Sequence, residues 1–376
     1  MNAYFDNSAT TKPCPEACEA ATKAITEYWG NPSSLHSAGA DASQIVKQAR
    51  KQVSSLMGVP ENTFYFTASG TTANNTAIFG VCEKLRREGN RIVTTSIEHP
   101  SVAEPIKKLE SQGFEVIRLS TDKTGNINTD QLLSSINENT ILVSCMAVNN
   151  EVGSVLPIKE IRSAVRRAKA PAVIHSDCVQ AFSKIPVSPK ALDADIITVS
   201  GHKIHGLKGI GGIYIKQKNL IKPYILGGGQ ESGIHSGTEG TPAIASFGAA
   251  AAAAGNIQEN YAYVASLKDM LIQGISHLPC VTVNSPDDAI PYIINLSLLG
   301  LPSQPMVNLL SSKGIAISAG SACKMGHRSP VLTAMGLPSH IIDSAVRISL
   351  SRYNTQEEIQ LLINAITEAA QKYGRK

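Results

Sequence analysis

Short β-rich runs alternate with amphipathic stretches from about residue 63 onward. Between the runs, apolar residues recur at a helical spacing, as in Ile158, Ile161, Val165 and Ala168. The alternation of strand and helix implies right-handed crossovers and a mainly parallel sheet. The runs rich in β-branched and aromatic residues, which predict strands, are 63–67, 91–97, 115–120, 141–148, 172–177 and 195–200.

The second half of the chain has a different pattern. Glycines after Ile210 predict a pair of strands, and the glycine-rich stretch 227–240 is typical of a functional loop. An alanine-rich helix is expected over 243–254, and the pattern then restarts as a smaller α+β unit. We therefore predict a large α/β domain with a mainly parallel seven-stranded sheet over 14–257, and a small α+β domain made of 1–13 plus 258–376.

Composition narrows the class of protein. The 376 residues carry a formal charge of +4, with 43% hydrophobic and 17% charged residues, which is typical of a globular protein and gives no support to nucleic-acid binding. The richest apolar stretch is short and mostly alanine, so we expect no membrane span. Because no basic region precedes a continuous apolar segment near the first residue, we expect no signal peptide and a cytoplasmic protein.

The cysteines do not form a recognisable framework. All 7 are scattered along the chain without paired clusters, which argues against both a disulfide network and a structural zinc site. We therefore predict no metal.

Chemically suggestive residues follow the predicted strands. Ligands in open α/β sheets gather at the carboxyl ends of the strands. The stretch 68–72 (ASGTT) precedes a helix and suits a phosphate, Asp177 ends an apolar strand, and Lys203 and His99 follow two others. Each has a plainer explanation when taken alone, namely a helix cap or a charge at a strand end. Together they match what pyridoxal phosphate requires: an acid for the ring nitrogen, a lysine for the aldehyde and a loop for the phosphate.

A resemblance extends over nearly the whole chain. It rests on motifs in a fixed order, among them YFDNSATT (4–11), GNPSSLH (30–36), EHPSV (98–102), NNEVG (149–153), HSDCVQ (175–180), SGHKIHG (200–206), SGT (236–238), SAGSAC (318–323) and VRISLSRYNT (346–355). On these motifs the chain resembles the cysteine desulfurases, which are pyridoxal-phosphate enzymes of fold type I in the aminotransferase class V group. The likeness is greatest to the branch that serves nitrogenase and iron-sulfur-cluster assembly.

The resemblance implies roles for cofactor-binding residues. Lys203 corresponds to the lysine bound to pyridoxal 5'-phosphate, Asp177 to the partner of the ring nitrogen, Gln180 to a donor to the ring hydroxyl, and His99 to the imidazole stacked on the ring. The phosphate would be held by residues from several loops and by one from a second subunit, which makes the expected active unit a homodimer. Those residues are Gly70, Thr71, Ser200 and His202, with Thr238 from the neighbouring subunit.

The resemblance also implies the reaction. Asn150 and Arg347 would bind the substrate α-carboxylate, and Cys323 would take the sulfur as a persulfide. L-cysteine would thus become L-alanine, and the sulfur would pass to an acceptor such as an iron-sulfur scaffold protein. Small residues before Cys323 and basic residues after it favour a mobile, electropositive loop in which a thiolate is stabilised.

Several positions depart from the family pattern. His235 and Gly240 stand where Arg and Asn are usual, Thr72 stands in place of Glu, and Leu207 in place of Pro. Two alternatives therefore accompany the main hypothesis. One is a selenocysteine lyase or another class V enzyme with the same cofactor, and the other is a weakened family member that acts as a scaffold in sulfur transfer.

Overall fold

The computed structural model of the protein describes residues 3–320 and 328–375. Its strands, in chain order, are β1 (Ala3–Tyr4), β2 (Phe64–Thr67), β3 (Arg91–Thr95), β4 (Glu115–Leu119), β5 (Thr140–Ser144), β6 (Val173–Asp177), β7 (Ile196–Ser200), β8 (Gly211–Ile215), β9 (Val281–Val283), β10 (Ile293–Leu298), β11 (Ile315–Ala316), β12 (Ser318–Ala319) and β13 (Ala345–Ser349).

Helices cover the strands and build the rest of the fold. None of those in the described part of the chain is both long and apolar enough to cross a bilayer. In chain order they are α1 (Pro15–Thr26), α2 (Ser37–Met57), α3 (Gly70–Leu85), α4 (Pro100–Glu110), α5 (Thr129–Ser135), α6 (Ile158–Arg167), α7 (Pro189–Leu192), α8 (Thr241–Ala252), α9 (Ile257–Ile275), α10 (Ser303–Ser312), α11 (Pro330–Ala334), α12 (Ser339–Asp343) and α13 (Gln356–Tyr373).

The main sheet has seven strands in the order β2-β8-β7-β6-β5-β3-β4. Only β8 runs antiparallel to its neighbours, so the predicted mainly parallel, seven-stranded sheet is confirmed. The expected pair of glycine-rich strands is wrong, because β8 is the one strand formed there by described residues. Both of its edges are already paired, with β2 and β7, and no edge is left for a following strand.

Successive residues of the central strands pack on opposite faces of this sheet. Ile92 and Leu142 join one apolar cluster, while Val93 and Val143 join the other. This follows from the two-residue period of a strand. Helices cover both faces, which explains why the central strands β5, β6 and β7 are buried at every residue and show no alternation of buried and exposed positions.

The second half of the chain forms a smaller sheet, and the first residues form a separate two-stranded sheet with β11. Strands β12, β13, β10 and β9 form an antiparallel sheet, and β1 pairs with β11. The chain then continues toward the main sheet, where the Thr11 amide donates to the carbonyl oxygen of His202 at 2.9 Å. The N-terminal segment therefore connects the small sheet to the turn that follows β7. The domain boundaries at 14–257 and 258–376 stay a prediction.

Candidate active site

Four candidate residues lie at one edge of the main sheet. Asp177 is the last residue of β6 and Ser200 the last of β7, while His99 follows β3 as the N-cap of α4 and Gly70 follows β2 as the first residue of α3. Strands β3, β6 and β7 run parallel through the sheet, and β2 shares their direction because both β2 and β7 are antiparallel to β8. Their carboxyl ends therefore meet at the same edge.

Asp177 is buried, with 6% of its surface exposed. Its Oδ2 accepts a hydrogen bond from Nδ2 of Asn74 at 2.8 Å, and its Oδ1 accepts one from the backbone amide of Val179 at 2.9 Å. Among the salt bridges of the described residues, none involves Asp177. A buried carboxylate that is bonded only to neutral donors is suited to a cationic ligand group.

His99 lies close enough to Asp177 and Lys203 for both charges to act on it. Burial lowers the pKa of His99, the Asp177 charge opposes this effect, and the Lys203 charge adds to it. The backbone amide of Ser101 donates to Nδ1 at 3.1 Å. Because Nδ1 accepts this bond, a neutral His99 carries its proton on Nε2.

Lys203 ends a single turn of 3-10 helix, Gly201–Lys203, directly after β7. Its Nζ donates to the carbonyl oxygen of Ser8, and to that of Ala9 at 2.9 Å. The Ser8 oxygen also accepts a bond from Nε2 of Gln180 at 2.9 Å. Lys203 and Gln180 thus share one hydrogen-bond acceptor, the carbonyl oxygen of Ser8 in the N-terminal segment.

The residues expected to hold a phosphate lie in two adjacent loops. A Cβ atom added at Gly70 would lie 3.2 Å from Cβ of Ser200, so the start of α3 packs directly on the end of β7. Thr71 is exposed in the first turn of α3. Burial and the nearby lysine charges lower the pKa of His202 to about 4, and Nδ1 of His202 lies 3.2 Å from Oγ1 of Thr10. His202 is therefore neutral at pH 7.

Thr238 is exposed on the loop 227–240. No hydrogen bond among the described residues joins Thr238 to Ser200 or His202. In the same loop, burial lowers the pKa of His235, and a Cβ atom at Gly240 would meet nothing within 4 Å. His235 is therefore a neutral side chain at pH 7, and Gly240 faces open space. These are the two departures from the family pattern that fall in this loop.

Arg347 lies on β13, with 4% of its surface exposed. Nη1 donates to the backbone carbonyl of Asn150 at 2.9 Å, and Nη2 donates to Oδ1 of Asp6 at 3.2 Å and to Oγ of Ser318 at 3.4 Å. Nε is buried and has no hydrogen-bond partner among the described residues. Arg347 and Asn150 are thus in contact, through the backbone carbonyl oxygen of Asn150.

Cys323 lies outside the described residues. The cysteines within them are free, and Cys82, Cys145 and Cys178 are buried. Burial raises the pKa of Cys82 to about 12 and also raises the pKa values of Cys145 and Cys178. These three thiols are protonated at neutral pH and are poor nucleophiles.

Sequence reasoning assigned no role to several polar residues of the site. Asn74 was visible as half of an Asn-Asn pair, Asp6 stood inside the YFDNSATT motif, and Lys184 followed HSDCVQ by four residues. Nothing in the spacing told that Asn74 reaches Asp177, that Asp6 reaches Arg347, or that Lys184 reaches Gln180. The first two contacts depend on how the strand ends and the two sheets are placed in space, and the third, between residues four apart, on the turn that follows β6.

Known proteins provide an independent comparison. The family model for aminotransferase class-V proteins matches residues 3–362. The chain is 38% identical over 373 residues to the cysteine desulfurase IscS of Methanosarcina thermophila, covering 98% of this chain and 92% of that protein.

Two solved structures have the same fold. A NifS-like protein is 34% identical with a TM-score of 0.93, and the match covers 99% of this chain and 100% of that one. A structure of SspA in complex with cysteine is 31% identical with a TM-score of 0.82, over 94% of this chain and 100% of that one. The chain therefore belongs to the aminotransferase class-V family and, within it, to the cysteine desulfurases.

Proposed function

We propose that this protein uses pyridoxal 5'-phosphate to convert L-cysteine into L-alanine and transfers the sulfur to Cys323 as a persulfide. The observation that carries the proposal is the buried carboxylate of Asp177 at a strand end, next to the strand that leads to Lys203, with both charges acting on His99. An acid, an amine and a neutral imidazole at one sheet edge are the groups that this cofactor needs from a protein.

The donor set fits pyridoxal phosphate. Asp177 is a buried anion bonded to neutral donors, and a protonated ring nitrogen would supply the missing positive charge. Lys203 would hold the aldehyde, Gln180 would donate to the ring hydroxyl, and His99 would lie against the ring. When bound, the cofactor withdraws electrons from the substrate α-carbon. The phosphate would be held by Gly70, Thr71, Ser200 and His202.

Arg347 is suited to bind the α-carboxylate of the substrate. A guanidinium forms a planar, permanently charged fork that matches a carboxylate. The bonds from Nη1 to Asn150 and from Nη2 to Asp6 fix its plane, while the buried Nε has no partner among the described residues. A substrate carboxylate would satisfy that N–H group.

The protein's own groups move the proton and the sulfur. Nζ of Lys203, held by the carbonyl oxygens of Ser8 and Ala9, would take the α-proton of cysteine. The Cys323 thiolate would then attack the substrate sulfur. A bond forms between the two sulfurs, the carbon–sulfur bond breaks, and its electron pair stays on carbon, which is protonated to give alanine.

A second copy of the chain would complete the site. Thr238 is exposed, and two large apolar side chains just before its loop are also exposed, Tyr224 to 45% and Leu226 to 80%. A group of exposed apolar side chains is typical of an interface, and Thr238 would then donate to a phosphate in the neighbouring subunit. The final acceptor of sulfur would be a protein such as an iron-sulfur scaffold. The free cysteines among the described residues fit a cytoplasmic location.

A turnover assay tests this function. The purified chain, loaded with pyridoxal phosphate and given L-cysteine and a thiol reductant, should release alanine and sulfide in equal amounts. We expect Cys323→Ala to lower both by about a hundredfold or more, while Cys18→Ala, which removes an exposed cysteine elsewhere, should retain wild-type turnover. Alanine formation that survives Cys323→Ala would refute the persulfide route.

A further inference from the structure

Lys184 is a buried lysine close to the candidate active site. Only 6% of its surface is exposed, and its Nζ donates to Oε1 of Gln180 at 2.9 Å. No salt bridge among the described residues includes Lys184. Because a buried ammonium group without an acid is costly, the bond to Gln180 is the polar contact that compensates its burial.

The bond from Lys184 determines the orientation of the Gln180 side chain. A carboxamide has a donor end and an acceptor end of nearly the same shape, and the two can exchange by rotation. An ammonium group can only donate, so Oε1 must face Lys184. Nε2 then points the other way, where it donates to the carbonyl oxygen of Ser8 at 2.9 Å. The same oxygen accepts a bond from Lys203.

The surroundings of Lys184 are basic. Burial and, to a smaller extent, the charges of Lys203 and Arg347 together lower the pKa of Lys184 to about 7. A cavity of about 20 Å³, room for one water molecule, is lined by Lys184, Lys203, His205, Tyr292 and Arg352, and no acidic residue of the described chain lines it. The Tyr292 ring centroid lies 5.9 Å from Nζ of Lys184.

We propose that Lys184 is a positioning residue that acts through Gln180, holding its carboxamide so that Nε2 faces Ser8 and the cofactor site beside Lys203. This inference rests on the proposed function, because Gln180 is expected to donate to the ring hydroxyl of pyridoxal phosphate. Without Lys184 the carboxamide can rotate, and the cofactor oxygen loses a fixed donor.

The visible absorption band of the bound cofactor provides the test. Wild type, Lys184→Met, Gln180→Met and the double variant are loaded with pyridoxal phosphate and titrated from pH 5 to 9, so that the lower half of the range keeps Lys184 as an ammonium group. Each single variant should raise the pH midpoint of the change in this band by about one pH unit, because a hydrogen bond to the ring oxygen stabilises the deprotonated form of the bound cofactor. The midpoint of the double variant should shift no further than that of the single variant with the larger shift, because both substitutions remove the same contact between Lys184 and Gln180.

Two further variants separate positioning from general damage. Lys184→Arg keeps a pure donor and should retain most of the wild-type titration, whereas Lys190→Met removes an exposed lysine of α7 and should change nothing. Lys184→Gln, which can donate or accept, replaces Lys184→Met if that variant does not fold. It should also raise the midpoint.

The outcomes distinguish this inference from the proposed function. A wild-type chain that shows no cofactor band would refute both. A normal wild-type band with unshifted Lys184→Met and Lys184→Gln variants would overturn the positioning role alone. Shifts that add in the double variant would overturn the claim that Lys184 acts through Gln180.

Discussion

Asn74 donates from Nδ2 to Oδ2 of Asp177 at 2.8 Å, a hydrogen bond from the side chain of a helix residue to a buried carboxylate. The same Nδ2 lies 2.8 Å from Oγ of Ser101, and Oδ1 of Asn74 accepts a bond from Thr198. Asn74 thus connects the end of β6, the middle of β7 and the first turn of α4. Its position in α3 explains how a helix can orient an acid that belongs to a strand.

Asn74→Ala should weaken cofactor binding without removing any group that is expected to touch the substrate. A hydrogen bond to a charged group contributes about 1.5–3 kcal/mol, so we expect about a tenfold to a hundredfold rise in the dissociation constant of pyridoxal phosphate. Equilibrium dialysis or quenching of protein fluorescence by the cofactor measures this constant. Asn62→Ala, at an exposed position before β2, is the control, and equal affinities for the two variants would contradict the role of Asn74.

Sequence patterns were sufficient for much of the fold. The apolar run before Asp177 forms β6, and the period of Ile158, Ile161 and Val165 is realised in α6. The glycine-rich stretch after Ile210 was harder to interpret, because glycine signals a tight approach as readily as a turn. A Cβ atom at Gly211 would lie 2.4 Å from the backbone of Ser69. These glycines therefore allow β8 to pack against the turn before α3.

The candidate site was predictable only as a set of strand-end residues. Parallel strands bring their carboxyl ends to one edge whatever the detailed packing, so Asp177, His99 and Lys203 could be grouped in advance. The salt bridge between Asp6 and Arg347, at 3.2 Å, joins residues from opposite ends of the chain. It depends on the N-terminal segment running beside β13, and no local pattern encodes that path.

Arg347→Lys should impair substrate binding more than turnover. A lysine cannot form the two parallel bonds of a guanidinium, and its charge sits on a single atom. We expect the KM for L-cysteine to rise about tenfold or more while kcat changes less, which is the signature of a lost contact made equally in the ground and transition states. Steady-state kinetics of alanine formation provide the measurement.

Arg118→Lys is a matched control for that experiment. Arg118 lies on β4, the strand at one edge of the main sheet. It forms an exposed salt bridge with Glu110 at 2.6 Å. The same chemical change there should leave KM at the wild-type value. A KM for Arg347→Lys equal to that of the control would exclude Arg347 as the carboxylate-binding residue.

Glu98 should make stability depend on pH. Burial and, to a smaller extent, the Asp177 charge together raise the pKa of Glu98 from its ordinary value of 4.5 to about 8. Between these two values the folded state binds more protons than the unfolded state, so the contribution of Glu98 is complete below pH 4.5 and is lost as the pH rises to about 8. The slope approaches about 1.4 kcal/mol of unfolding free energy per pH unit.

Glu98→Gln removes the titrating carboxyl group. The difference in unfolding free energy between wild type and this variant therefore isolates the contribution of Glu98. Lys184, whose pKa is lowered to about 7, has the opposite sign above that pH, so the wild-type curve alone is not diagnostic. Denaturant unfolding at pH 6 to 8 should show wild type losing stability relative to Glu98→Gln by about 1 kcal/mol per pH unit. For Glu88→Gln, at an exposed position, the unfolding free energy should depend on pH as it does in wild type. The same result for Glu98→Gln would mean that the carboxyl group of Glu98 is ionised in the folded protein, which would contradict the prediction.

The ion pair of Arg50 with Glu231 should be the strongest single anchor of the loop 227–240. Nη1 and Nη2 of Arg50 lie 2.7 Å from the two carboxylate oxygens, and the backbone amide of Phe66 donates to Oε2 of Glu231 at 2.8 Å. Only 4% of the Glu231 side chain is exposed. Glu231→Ala leaves the guanidinium largely buried without its partner, which should cost about 3–5 kcal/mol of unfolding free energy.

The double variant Arg50→Met/Glu231→Leu tests why Glu231→Ala loses stability. The cause is either the loss of the hydrogen bonds of Glu231 or the unpaired charge left on Arg50. Replacing both partners by apolar residues removes the uncompensated charge, so chemical denaturation should recover most of the stability lost in Glu231→Ala. Glu83→Ala, which breaks an exposed pair with Lys222 at 3.0 Å, should lose nothing measurable. A double variant as unstable as Glu231→Ala would mean that the specific hydrogen bonds of Glu231, including the one from Phe66, hold the loop, and that charge compensation does not.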